Sequence, residues 1–109
     1  MAVRDDIAHL LAAGVNPDDL AVATGVPDEL AEAWLERHAA ITREHADRIA
    51  SLAAITRRMR TIVVADEVPV WLRRPLPALD GRSPLQAIAS GDHAAVEHIV
   101  GFLESPGAI

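Results

Sequence analysis

The chain has no cysteine and no lysine, and its aromatic residues are Trp34, Trp71 and Phe102. Without cysteine, disulfides and thiolate metal sites cannot form, and a cytoplasmic, reducing compartment is expected. With so few aromatics, a core must come from Ala, Val, Ile and Leu, which suits close helix packing. All ten basic residues are arginine; with abundant alanine, this reads as a GC-rich genome rather than as chemistry. No apolar run approaches the roughly 18–20 residues of a membrane span, and the opening MAVRDDIAHLL lacks a signal-peptide layout.

Catalytic patterns are also missing. Ser51, Ser83, Ser90 and Ser105 lie outside any GxSxG setting, and there is no GxGxxG or GxxxxGK[ST] loop. Of the histidines, His93 and His98 stand about 140° apart around a helix, and a break separates His38 from His45. His9 stands alone. No metal, cofactor or enzymatic activity is expected.

With 109 residues, the chain forms one domain or two very small ones packed together. The net charge of −6 is unevenly spread. Residues 1–40 carry two arginines against eight acids, and residues 75–109 carry one against four. The middle segment, 41–74, has seven arginines against four acids. Only there does the chain offer an electrostatic foothold for nucleic acid, with Arg43, Arg48, Arg57, Arg58 and Arg60 as candidate phosphate contacts. A solvated face, with ordinary i,i+4 pairing of Glu44 and Arg48, explains the same pattern.

Apolar residues recur at helical spacing throughout, and nothing alternates as a strand would. The fold class is all-α. Val3, Ile7, Leu10 and Leu11 line a first helix ending at Gly14. Asn16 caps a second, which starts at Pro17 and stops at Thr24-Gly25-Val26. Pro27-Asp28-Glu29 opens a third, carrying Leu30, Ala33, Trp34 and Leu35. Thr42 caps a long fourth helix from Arg43 to about Ala65, roughly 35 Å in length. Its stripe Leu52, Ile55, Met59 and Ile62 serves equally as a homodimer seam or as intramolecular core. Pro69 and Pro75 bracket a short helix around Trp71, and Asp80-Gly81 marks a turn. Ser83 and Pro84 begin the next helix, which Gly91 ends. Asp92 opens the last, running to about Glu104, and Ser105–Ile109 form a tail. The boundary is placed at residues 64 and 65, giving an N-terminal bundle with the long helix (1–64) and a small helical domain (65–109).

Two stretches carry resemblances. Residues 17–35 resemble the helix-turn-helix of Xre/lambda-repressor-like proteins, through Leu20-Ala21, Thr24-Gly25-Val26 and Trp34. Yet the positions that would enter the major groove are Asp28, Glu29, Glu32 and Ala33, with Glu36 beyond. Carboxylates there repel phosphates. A DNA-binding regulator is therefore the alternative reading.

The second resemblance is the more specific. Trp71-Leu72, Pro75, Leu79-Asp80-Gly81, Ser83-Pro84-Leu85, Gly91, Val96, Leu103 and Gly107 resemble the C-terminal domain of Xre/MbcA/ParS-type antitoxins. That resemblance implies a protein that binds a cognate toxin, often a RES-domain protein that destroys NAD+, and blocks its active site sterically. Homodimerisation within the toxin–antitoxin assembly is expected. Trp71, Pro75, Gly81, Pro84 and Gly91 build the domain, with Trp71 in the seam between the long helix and the last two. Phe102, Leu103, Glu104, Ser105, Pro106, Gly107, Ala108 and Ile109 are the candidate toxin contacts. Glu104 and the terminal carboxylate suit the phosphate-binding groups of an NAD+ site.

Deleting Ser105–Ile109 should leave a folded protein that no longer protects cells from its toxin; circular dichroism and a co-expression growth assay check both halves.

Overall fold

The computed structural model describes residues 2–36 and 39–104. These form seven α-helices: α1 (Ala2–Ala12), α2 (Pro17–Thr24), α3 (Asp28–Glu36), α4 (Arg43–Met59), α5 (Glu67–Arg73), α6 (Pro84–Ala89) and α7 (His93–Glu104), with a 3₁₀ turn over Pro77–Leu79. No strand occurs among the described residues. The chain is all-α.

Two helices begin with the same device. The Asn16 side chain accepts the Asp19 backbone N–H at 2.9 Å, and the Asp19 carboxylate accepts the Asn16 N–H at 3.1 Å. At α6, Ser83 Oγ accepts the Gln86 N–H at 3.2 Å, and Gln86 Oε1 accepts the Ser83 N–H at 2.9 Å. Each reciprocal pair satisfies two backbone donors left open at a helix start. A proline follows each cap, where its missing N–H costs nothing. Thr42 precedes α4 without capping it; its hydroxyl pairs with His45 Nδ1 at 3.0 Å.

The central helix is shorter than its sequence suggests. α4 has 17 residues and ends at Met59, not near Ala65. The run Thr61-Ile62-Val63-Val64 is β-branched throughout, which restricts side chains against a preceding helical turn. Here the Thr61 hydroxyl donates to the Arg58 carbonyl at 2.7 Å, and the Ile62 and Val63 N–H groups both turn back to Met59.

One buried cluster runs through the whole fold. It takes Ile7 and Leu10 from α1, Leu20, Ala21 and Ala23 from α2, and Ala31, Trp34 and Leu35 from α3. Ile49, Leu52, Ala53, Ile55 and Met59 of α4 lie at its centre. Val68 and Leu72, Leu85, Ala87 and Ile88, and Val96 and Val100 close it from α5, α6 and α7. Alanine on α2 and α6 lets those two helices approach closely, and their contact is as extensive as that of α2 with α3.

The α4 stripe takes one of its two expected roles, and Trp71 and Leu11 lie elsewhere than expected. Leu52, Ile55 and Met59 are fully buried in this chain's own core, so the α4 stripe is not a dimer seam; Ile62 lies beyond the helix end. Trp71 is half-buried on the flank of α5, because Val68 and Leu72, one turn apart, take the inward positions. Leu11 faces outward at 48% exposure while Ala13 and Val15 turn in.

Connections are fixed by backbone geometry. Asp80 and Gly81 are both left-handed, at φ 59° and 84°. Asp tolerates that region and Gly carries no Cβ to oppose it. The turn is closed by the Leu76 N–H to the Arg82 carbonyl and the Gly81 N–H to the Leu76 carbonyl, each 3.0 Å. At Gly14 a Cβ would stand 3.2 Å from Pro69 Cγ, so the α1–α2 turn comes close to the start of α5.

Long-range ion pairs tie the ends together. Asp19, which caps α2, also receives Arg73 of α5 through two bonds of 2.7 and 2.6 Å. Asp6 of α1 pairs with Arg57 of α4 at 3.0 Å. Arg48 does not pair with Glu44; its guanidinium donates to the Ile88 and Ala89 carbonyls at the end of α6.

Asp19→Ala removes a cap and the partner of a half-exposed arginine together. It should destabilise the protein by about 2–3 kcal/mol. In thermal unfolding the midpoint should fall by roughly 10 °C, while Asp19→Asn, which keeps the cap, should lose less.

Candidate functional site

The exposed face of α7 is built by an ordinary amphipathic helix. Val96 and Val100 point into the core, with Ala95 and Ile99 half-covered beside them. His98 and Phe102, one turn apart, then face solvent. Phe102 is 65% exposed and Leu103 38%. The His98 ring meets the Phe102 ring edge-on, with centroids 5.4 Å apart and planes at 84°. Glu97, His98, Gly101 and Phe102 line a shallow groove of about 430 Å³. An aromatic ring that could have been core is held open to water instead.

Arg58 of α4 reaches the last residue of this helix. Its Nε and Nη2 donate to the two Glu104 carboxylate oxygens at 2.9 and 2.6 Å. The same guanidinium passes over Gly101, where a Cβ would lie 3.9 Å from Nη2. Hydrogen bonding to Glu104 raises the Arg58 pKa, and Arg58 holds the Glu104 carboxyl below its usual value.

The remaining candidates are scattered. Pro84 is buried at the start of α6, Pro75 and Gly81 are exposed on the loop around the 3₁₀ turn, and Gly91 is exposed at the end of α6. Ser105, Pro106, Gly107, Ala108 and Ile109 lie outside the described residues. Of the arginines considered for phosphate, Arg57 and Arg58 are engaged with Asp6 and Glu104, while Arg43 and Arg60 are exposed on different turns of α4 and beyond it. Their charges were visible in the sequence; their partners, 51 and 46 positions away, were not.

The α2–α3 pair presents the opposite charge. Asp28, Glu29 and Glu32 of α3 are exposed and share a groove of about 370 Å³ with Asn16, Pro17 and Asp18. Asp28 is raised above its ordinary value, first by a hydrogen bond with Asp18 and then by repulsion from it. Among the described residues, no group of three His, Cys, Asp or Glu side chains is placed to hold a metal ion. No described helix is long and apolar enough to cross a membrane.

The outward aromatic face thus lies on α7, the last described helix, with its arginine anchor on α4. Residues 59–105 match the antitoxin Xre/MbcA/ParS C-terminal toxin-binding domain. This segment is similar to the toxin-binding domain of that family. The matched domain begins at Met59, where α4 ends, and takes in α5, α6 and α7. A chain of the crystal structure of the M. tuberculosis MbcT–MbcA toxin–antitoxin complex has the same fold, with a TM-score of 0.82 at 14% identity. That alignment covers 100% of this chain and 98% of the other, so the shared architecture includes the N-terminal helices. No curated protein matches the sequence.

Burial also acts on the titration of His9. His9 Nε2 is enclosed with no hydrogen-bond partner among the described residues. Burial lowers its pKa below the ordinary 6.5, and Arg57 and Arg60 lower it further against the opposing pull of Asp6. The unfolded chain therefore binds this proton more readily than the folded one. The stabilisation is complete above about pH 6.5 and is lost as pH falls toward the lower, folded value. His9→Gln should flatten the dependence of the urea midpoint between about pH 7 and 5.

Proposed function

We propose that this chain is an antitoxin without catalytic activity. It neutralises a cognate toxin, of the RES-domain NAD+-degrading class, by laying the end of α7 and residues 105–109 over the toxin's active site. The observation that carries this reading is Phe102, 65% exposed on the last turn of the matched toxin-binding domain and beside an open groove. Aromatic side chains are enriched at protein interfaces and supply much of the binding energy there. Leu103 extends the same apolar end.

The α2–α3 unit serves in this reading as scaffold. Operator binding and autoregulation would place Asp28, Glu29 and Glu32 against phosphate, which is electrostatically adverse. Arg57 and Arg58 are already neutralised by carboxylates within the chain. Any homodimer within the assembly uses a surface other than the buried α4 stripe.

Phe102→Ala should shift stability by no more than about 0.5 kcal/mol, as exposed substitutions do. It should weaken toxin binding by about 30-fold or more, the loss expected at an interface hot spot. Calorimetric titration against the protein encoded in the adjoining reading frame, with co-expression growth assays, measures both effects. Wild-type affinity in a folded Phe102→Ala variant would remove the end of α7 from the interface.

A further inference from the structure

The last turn of α7 extends beyond the core. Val100 is its final buried side chain; Gly101 is half-buried, and Phe102, Leu103 and Glu104 are exposed. A helix end without buried side chains frays readily, yet the proposed contact surface lies on this turn. Among the described residues, the one side-chain hydrogen-bonding link from this turn to another helix is the forked Arg58–Glu104 pair. Its geometry is two parallel N–H···O bonds, which fix direction as well as distance. Glu97 adds attraction for Arg58 from one end of the turn sequence, and Gly101 leaves room for the guanidinium to lie along the helix. Glu97, Gly101 and Glu104 share one face of α7, and His98 and Phe102 lie on the adjoining face, about 100° round the helix.

We infer that Arg58 is a positioning residue for toxin recognition: it clamps the final turn of α7 to α4 and so holds Phe102 and Leu103 in binding geometry. This rests on the assignment of the α7 end as the toxin-contacting surface. Arg58 itself touches no toxin in this scheme. Its positive charge is absorbed by Glu104, and what it contributes is order. A cation at this helix end also favours the C-terminal dipole.

The test is a charge swap with two readouts on the full chain. Amide hydrogen exchange of residues 101–104, measured without toxin, should rise about fivefold or more in Arg58→Gln and Arg58→Glu, a size typical of directly coupled pairs. Affinity for the protein of the adjoining reading frame should fall by a similar factor, and mainly through faster dissociation. The double variant Arg58→Glu with Glu104→Arg should recover both quantities to within about threefold. Arg58→Lys, which keeps the charge but not the fork, should fall between.

Unchanged exchange in a folded Arg58→Gln variant overturns the clamp. Raised exchange with unchanged affinity overturns the positioning role. Loss of affinity in both single variants without recovery in the swap also overturns it, because Arg58 or Glu104 then acts by direct contact. Phe102→Ala run alongside separates the two ideas. If that variant binds like wild type, the surface assignment fails, while the exchange data still judge the clamp.

Discussion

Asp19 is the residue on which the arrangement of the helices turns. Its carboxylate closes the N terminus of α2 and at the same time receives both arms of Arg73 from α5. The side chain is only 5% exposed, so its charge has been taken out of water and depends on those partners. A carboxylate in this position costs free energy if either contact is missing. The α5 register is therefore tied to a cap formed 54 residues earlier in the chain. Around that tie, Ala21 and Ala23 of α2 and Ala87 of α6 keep the facing helices narrow enough to share one core.

The arginines follow a common pattern. Arg57, Arg58, Arg73 and Arg82 each meet a carboxylate on another element or turn, and Arg48 closes the carbonyl end of α6. A guanidinium does this better than an ammonium, because its donors are planar and fixed in a fork. The middle segment is basic in sequence, but in the folded chain much of that charge is answered from within. Among the described residues, α3 presents a negative face through Asp28, Glu29 and Glu32. Charge counted along the chain and charge presented by the surface are thus different quantities here.

Most helix starts were readable from local chemistry. Asn16-Pro17 and Ser83-Pro84 announce themselves because a cap and the following proline act within one turn. The end of α4 was missed because hydrophobic spacing continued through Ile62 and Val63 after the backbone had left the helix. Periodicity recorded the wish to bury those residues, and a β-branched run decided how. Trp71 was assigned too deep a place, since size alone does not say which face of a seven-residue helix turns inward. The landmarks at Trp71, Pro75, Gly81, Pro84 and Gly91 pointed to the family whose domain matches residues 59–105. They carried no information on the Arg58–Glu104 pair, which brings together residues 46 apart and leaves no local signature. Phe102 was legible as a candidate, but its exposure was settled only by the placement of Val96 and Val100 on the inner face.

The single buried cluster has a consequence for what a partner feels and what it changes. Val96 and Val100 belong to the same packed body as Ile7, Leu10 and Trp34. A ligand held at α7 therefore acts by mass action on the folding equilibrium of all the helices in that body. At a free concentration a hundred times its dissociation constant, it contributes about 2.7 kcal/mol. Local openings in α1 to α3, far from the contact, become rarer wherever they require the common core to separate. Occupancy at one end of the chain is in this sense recorded in the lifetime of the other.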